Sequence, residues 1–456
     1  MKHQLLTITS LSLLGAKFVY GTSTAACNAL QSALPGRVFF PGSEEYTSDN
    51  KHWTQIASQN STCSVQPESP DDVAVILRAV ASGDTQSPFG VKGGGHTSNA
   101  GFSSTPGVQI SMSRFNSVEY NENQSTAKIG AGLTWGEVFA ALEPHGVKAV
   151  GGRVPNYGLA IDTVVAYDLV LPNGTFIEVK EQSSPDLFFA LKGGFNNFGI
   201  VTSFTLNVFP QTDVWGGTVV YPLNASDAVH RATENFSFKQ HRLESVALTL
   251  YTATSFTISG CVFDEFLNVP GAVVTLSRTM GLTEAVDTLS GGIGSLNPPR
   301  DFRDVIPVSR YTVGILDEMK AQLEKVISDA AANNRVFEML GVISEPFAQP
   351  NAHSTDSAYP NPPGRFVCPT GVEGYWPDSA DDDFFFNAIS EAKQAIQARA
   401  IAEEQSFADD IIYNNYAPAD TPLELLYGDN LERLREIKRR VDPQNVMGLA
   451  GGFKFE

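Results

Sequence analysis

Apolar positions recur along the chain in two periods, and the switches between them mark the elements. Ser69-Pro70-Asp71-Asp72 is followed by Val73, Ile76, Leu77 and Val80. Apolar side chains at i, i+3, i+4 and i+7 behind a capping serine and a proline suited to the first helical position predict a helix. FGVKGGG predicts a short strand running into glycines, and the alternation of Val108, Ile110 and Met112 predicts a half-buried strand. TAKIGAGLTWGEVFAALEPHG reads as strand, glycines and helix; the helix opens on the capping box Thr134-x-x-Glu137 and presents Trp135, Val138, Phe139 and Leu142 as its apolar face. VVAYDLVLPNGTFIEV predicts a hairpin about Pro172-Asn173-Gly174, Ser184-Pro185-Asp186 caps a further helix, and Ile200, Phe204, Leu206 and Val208 lie on a strand with one apolar face.

Beyond about residue 210 the texture changes. Longer alternating stretches, WGGTVVYPL and SVALTLYTATSFTIS, predict strands; a helical stretch follows near 315–333, then the Pro/Asn/Gly-rich passage SEPFAQPNAHSTDSAYPNPPGRF. From about 411 the pattern returns to helix, with Asp429 as cap and Leu431, Leu434, Ile437 and Val441 on one side. Lys438, Arg439 and Arg440 stand where a helix C-terminus favours cations. Short strands and helices intermixed in this way predict an α+β fold, divided at 22–210, 211–410 and 411–456.

Composition narrows the class. With 456 residues, 42% hydrophobic and 18% charged, the chain is suited to a sizeable core and to neither disorder nor a membrane bundle. Fifty acidic against 31 basic side chains leave a net charge of −19, which repels a polyanion, and KRR at 438–440 is the one basic cluster; no nucleic-acid or membrane partner is expected. MKHQLLTITSLSLLGAKFVYGTSTAAC has a basic start, an apolar stretch and small residues, so residues 1–21 are expected to be a secretory signal peptide. In that oxidising route Cys27 and Cys63 are expected to be bridged, whereas spacing leaves Cys261 and Cys368 open between paired, free and buried. Five N-x-[ST] sequons, at Asn60, Asn123, Asn173, Asn224 and Asn235, suit a glycoprotein.

Several chemistries lack their residues. The seven histidines, at 3, 52, 96, 145, 230, 241 and 353, form no HExxH, and no CxxC occurs, so no metal site is expected. Neither a GxSxG elbow nor a GxxxxGK[ST] phosphate loop is present. GAGLTWG follows a strand and opens a helix, but its spacing is GxGxxxG and no acidic residue closes a strand about twenty residues on. It reads as a tight strand-to-helix turn rather than a dinucleotide fingerprint.

The remaining candidate is VKGGGHTSNAG at 91–101. Consecutive glycine amides can form a concave nest for an anion such as a pyrophosphate, because no Cβ keeps the backbone from closing on the oxygens. His96, at the end of the nest, would lie beside whatever the pyrophosphate carries.

VKGGGHTSNAGFSSTPGVQISMSRFNSVEY, IGAGLTWGEVFAAL, YGLAIDTVVAYDLVLPNG, SPDLFFALKGGFNNFGIVTSFTLNVFP, YNNYAP and KRRVDPQNVMGL together resemble, in that order, the FAD-linked oxidoreductases of the vanillyl-alcohol oxidase and berberine-bridge-enzyme-like family, in its secreted fungal form. The resemblance implies a two-part PCMH-type FAD-binding domain, made by residues 22–210 (core about 67–210) and 411–456, and a separate antiparallel-sheet substrate domain covered by helices over 211–410. It implies that Lys92, Gly93, Gly94, Gly95 and Thr97 cradle the FAD pyrophosphate, with Gly132, Gly199, Val201 and Asn415 also at the cofactor. It further implies that His96 is bonded to the 8α-methyl carbon of the flavin, which prevents cofactor loss and withdraws electron density from the ring. YNNYA at 413–417 resembles the family's Y-x-N-Y element near the isoalloxazine, so Tyr416 and Tyr413 are the catalytic candidates, Tyr416 as the base that takes a proton while hydride leaves for the flavin.

One departure stands out. Family members carry a long glycine-rich connection between the equivalents of Arg153-Val154 and Tyr157-Gly158-Leu159, where this chain has only Pro155 and Asn156. Any cysteine that doubles the covalent link in some members would lie in that missing piece, so at most a single attachment through His96 is expected; the resemblance otherwise implies an FAD-dependent oxidase acting on a small secondary metabolite with molecular oxygen as acceptor. The alternatives are a carbohydrate oxidase of the same family, a flavin-free relative with a binding role, and a nucleotide-dependent reductase. The residues do not separate oxidase from dehydrogenase, and they leave substrate and oligomeric state open.

Overall fold

The computed structural model describes residues 23–83, 86–152, 157–238, 248–252, 256–259, 264–290, 298–346, 353–364 and 367–456. The expected signal peptide, the short connection at Pro155-Asn156 and Cys261 lie outside them. The fold is mixed α and β, with antiparallel sheets dominating.

Among the described residues the strands form three sheets. The first is built from Val38–Phe39, Cys63–Val65, Val108–Ser111 and Phe89–Lys92, its last three strands running parallel. Parallel strands are covered on both faces. Accordingly Val108, Gln109, Ile110 and Ser111 are all buried, where the alternation predicted a half-buried strand. Helix Pro70–Ala81 covers this sheet with Val73, Ile76, Leu77 and Val80, and its capping box forms through Ser69 and Asp72. The second sheet centres on the long strand Ile200–Pro210, which pairs with Thr126–Gly130, Val147–Ala149 and Val164–Val170; the last of these turns at Asn173-Gly174 into Phe176–Val179, as expected. Helix Trp135–Leu142 buries Val138, Phe139 and Leu142, and Glu137 accepts from the Thr134 amide at 2.7 Å. Ser184 and Asp429 occupy N-cap positions but make no capping bond with their side chains. Asp186 instead binds Arg433 and Arg440 of the C-terminal helix Asn430–Val441. Lys438 is not a solvated last-turn cation: it is buried against Asp442 and donates to Asn445 at 3.0 Å.

The third sheet holds strands from Val214–Tyr221 to Cys368–Trp376. Of the stretch 245–259, expected as one long strand, the described residues form two strands paired antiparallel, Leu248–Thr252 and Phe256–Ser259. Helices Val313–Ala332 and Asp382–Ala402 pack on one face, over Ile306, Val308, Val342, Val372 and Trp376. The opposite face carries Asp301, Arg303 and Val305 of Arg300–Val308 in register with Tyr375, Glu373 and Gly371 of Cys368–Trp376. Val305 there joins a cluster with Ile412, Ala417 and Tyr427, so this face looks onto the C-terminal segment.

That segment docks against the first sheet and against the stretches 101–102 and 195–197. Ala450 bridges Phe89 in parallel, Asn197 Nδ2 donates to the Phe453 carbonyl at 2.9 Å, and the Phe102 and Phe453 rings meet edge-on at 5.0 Å. Gly451 lies so close to Gly101 that a Cβ there would stand 1.6 Å from its carbonyl oxygen.

Cys27 and Cys63 are bridged as expected, with a sequence separation of 36; Cys368 is a buried thiol. Closing a loop of that length restricts the unfolded chain by about 3–4 kcal/mol. A Cys27→Ser/Cys63→Ser protein should therefore denature at lower guanidinium concentration than the parent, and reductant should move the parent's midpoint to the same place.

Candidate active site

The glycine nest sits where strand Phe89–Lys92 ends, beside the turn that opens helix Trp135–Leu142; a Cβ on Gly93 would lie 2.8 Å from the Ala131 carbonyl. Gly93 and Gly94 are exposed, and Gly95 is buried with φ +71. The Gly95 carbonyl accepts from the Trp53 amide at 3.0 Å, but no backbone carbonyl among the described residues accepts from the amides of Gly93, Gly94 or Gly95. Three successive donors without backbone partners, two of them at the surface, suit an anion. The Lys92 ammonium lies nearby but donates to the Ser48 carbonyl at 2.8 Å; burial lowers its pKa, with Asp49 opposing that and Lys51 adding to it. The side chain of Lys92 packs beneath Gly95 together with His52, which is buried and whose pKa is lowered chiefly by that burial. His96 is exposed, its imidazole 5.0 Å from the Trp53 ring. These residues fit a dinucleotide: unpaired amides for the pyrophosphate, a lysine beside them, and an accessible imidazole at the end of the cradle.

Tyr416 is half-buried on the turn that follows Ile412. The Arg303 guanidinium lies 4.5 Å from its ring centre, and its hydroxyl donates to Glu345 Oε1 at 3.3 Å. Arg303 is fixed by Glu373, which accepts from both Nε and Nη2. Burial opposes the guanidinium's charge, yet Glu373, Tyr416 and Tyr375 around it prevail, and its pKa is pushed further up. Glu345 is held by its own amide, which donates to Tyr311 Oη at 2.9 Å; Tyr311 in turn meets Thr370 Oγ1 at 2.7 Å. Tyr413 meets Tyr416 edge-on at 5.0 Å, Tyr359 meets Tyr413 at 6.1 Å, and the exposed Asn415 donates from Nδ2 to Tyr413 Oη at 2.7 Å.

Arg303 and Glu373 form a pair whose carboxylate side chain is 3% exposed. Removing one member of a buried pair leaves the other charge uncompensated, at a cost of about 3–5 kcal/mol. Arg303 is 24% exposed, which places Glu373→Ala toward the lower end. The expected outcome is a clear fall in the thermal midpoint, largely restored by the apolar double replacement Arg303→Met/Glu373→Met.

The predicted residues divide into two groups. The nest and Tyr413, Asn415 and Tyr416 come together, since Asn99 Nδ2 donates at 2.9 Å to the carbonyl of Ala417. Val201 packs in the same cluster as Tyr416. Gly132 and Gly199 are accounted for by backbone packing: a Cβ would stand 2.0 Å from the Met112 carbonyl and 2.3 Å from that of Val170. Asn414, not singled out in the sequence, is the buried asparagine of the YNNY run and donates to the Gly193 carbonyl at 3.2 Å. Also unforeseen were Asp301, Arg303, Glu345 and Glu373. For Asp301, Arg303 and Glu373 the signal is the alternation D-x-R in RDFRDVIPV and E-x-Y in VEGYW, which sets polar residues two apart on one face of a strand; no such spacing marks Glu345. Such alternation ordinarily marks a solvated face; here that face looks inward.

Residues 61–150 match the family described as FAD binding domain, and residues 412–450 that described as berberine and berberine like. An FAD-dependent monooxygenase of Aspergillus calidoustus, drtC, is 28% identical over 94% of this chain and 90% of its own length. Two solved structures share the fold: the BBE-like 1 protein of Physcomitrella patens, with a TM-score of 0.75 at 18% identity, and the glucooligosaccharide oxidase of Acremonium strictum, with its 6-S-cysteinyl, 8α-N1-histidyl FAD, at 0.74 and 17%. Each match covers 92% of this chain and 97% of the other.

Proposed function

Because the chain belongs to the berberine-bridge-enzyme-like family of FAD-linked oxidoreductases, we propose that it is a secreted oxidase that removes two electrons from a C–H bond next to oxygen or nitrogen in a small metabolite, with molecular oxygen as final acceptor. Bound FAD supplies the two-electron acceptor. The amides of Gly93, Gly94, Gly95 and Thr97 would hold its pyrophosphate with Lys92 adjacent, and His96 would carry the single covalent attachment.

The observation that carries this reading is the placement of Tyr416 between a guanidinium and a carboxylate, one residue before the carbonyl that ties it to the loop bearing His96. A phenol with a reference pKa of about 10 is a poor base near neutrality. A cation over the ring stabilises the phenolate, while Glu345 accepts the hydrogen bond that aims the hydroxyl. Tyr416 then takes the proton from the substrate's O–H or N–H while Arg303, anchored by Glu373, holds the ring in place. The monooxygenase name of the Aspergillus relative supports a flavin-dependent reaction that uses oxygen; the sugar oxidase among the structural neighbours keeps a carbohydrate as the second reading.

Secretion draws support from the N-terminal pattern, the disulfide and the exposure of all five sequon asparagines. The deciding experiment is production in a riboflavin-replete host followed by acid precipitation and the mass of the peptide containing His96. A yellow pellet and a peptide heavier by one FAD support the reading; a colourless protein with that peptide unmodified overturns it.

A further inference from the structure

The loop that carries His96 is tied twice on its far side. Ser98 Oγ donates to the carboxylate of Asp301, and Asn99 Nδ2 donates to the carbonyl of Ala417. The partners lie 203 and 318 residues away in sequence, one on the third sheet and one in the C-terminal segment. Within the loop, Thr97 Oγ1 accepts from the Asn99 amide at 3.1 Å, so Thr97 and Asn99 are braced against each other.

Both ties lead to the same side chain. Ala417 is the next residue after Tyr416, so the Asn99 bond fixes the peptide that carries the tyrosine. Asp301 precedes Arg303 by two positions on one face of its strand, and Arg303 lies over the Tyr416 ring. Two routes, one through backbone and one through a strand and a cation, thus connect position 96 to Tyr416.

Asp301 shows that the second route is costly. It is 3% exposed, Oδ1 has no hydrogen-bond partner among the described residues, and its pKa is raised, chiefly by burial, against the hydrogen bond from Ser98. A buried carboxyl so poorly satisfied destabilises the fold by itself. An alanine there would spare that cost but would release the loop from the sheet.

We infer that Ser98 and Asn99 are positioning residues, which set where the Tyr416 hydroxyl stands relative to the cofactor anchored at His96. The inference rests on the function proposed above. Its physical basis is the steep dependence of proton and hydride transfer on geometry: a displacement of about 1 Å can lower the rate by about 10²-fold.

Four variants test it. Asn99→Asp keeps the shape but loses the donor, and Asn99→Ala loses both; Ser98→Ala removes the hydroxyl, and Ser98→Thr retains it. The expected result is flavin attached to His96 in parental amount in all four, with flavin reduction in the absence of oxygen slowed by about 10- to 10²-fold in Asn99→Asp, Asn99→Ala and Ser98→Ala. KM should change little, the pH profile of reduction should be displaced, and Ser98→Thr should recover the parental rate. A readout that needs no turnover is amide hydrogen exchange, which should accelerate together in 96–101 and 413–418 when either tie is cut.

Parental rates and pH profile in Asn99→Asp and Ser98→Ala would overturn the inference. So would slowing that only tracks lost flavin or a lowered thermal midpoint. If the parent protein itself carries no flavin, the proposed function fails; the exchange experiment still reports whether the two segments are tied.

Discussion

A His96→Ala variant is expected to yield a colourless pellet on acid precipitation where the parent's pellet is yellow, the covalent flavin content falling from near stoichiometric to none. The exposed imidazole at the end of the nest is the group placed to make the bond. The donors that would hold the pyrophosphate are backbone amides of Gly93, Gly94 and Gly95, which the substitution does not touch. The variant should therefore still take up added FAD reversibly, and a spectrum of the native protein before and after gel filtration would show it. Loss of an electron-withdrawing substituent weakens the ring as an acceptor, so reduction in the reconstituted variant should be slower by about tenfold or more, the equivalent of about 1.4 kcal/mol in the barrier. A yellow acid pellet from His96→Ala would place the attachment elsewhere.

Tyr416→Phe is expected to have the larger kinetic effect. Phenylalanine keeps the ring under Arg303 and the packing against Tyr413, and it removes only the hydroxyl that donates to Glu345. Flavin content should be unchanged, while flavin reduction without oxygen should fall by about 10²- to 10⁴-fold, the usual contribution of a positioned general base. A base acts only after losing its own proton, so the parental rate should climb with pH through that titration; the variant should lose this limb. An unchanged rate constant would reduce Tyr416 to a packing residue.

Where a cap, a proline and a consistent period agreed, the sequence was sufficient: Ser69 to Val80 formed the expected helix, and the turn at Asn173-Gly174 the expected hairpin. The nest was legible because glycine has few reasons to occur three times in a row. Tertiary context decided what failed. Val108 to Met112 alternates, but a parallel strand between two others buries Gln109 and Ser111 as well. The helix Asp382–Ala402 did not stand out, since Phe384, Phe385 and Phe386 in succession blur its period. The polar half of the site was missed for a related reason. Asp301, Arg303 and Glu373 carry the spacing of a solvent-facing strand surface, and the C-terminal segment lying over Val305, together with the loop whose Ser98 bonds Asp301, turns that surface into an interior.

The docking of that segment also bears on biosynthesis. Ala450, Gly451 and Phe453 complete packing begun by Phe89, Gly101 and Phe102, more than three hundred residues earlier. Domains generally form as they leave the ribosome, but this half has to wait, partly assembled, until the third sheet and its helices have been translated. On the proposed reading, FAD capture is then a late event in the life of the nascent chain, and a polypeptide released early would lack the segment that closes over its nest.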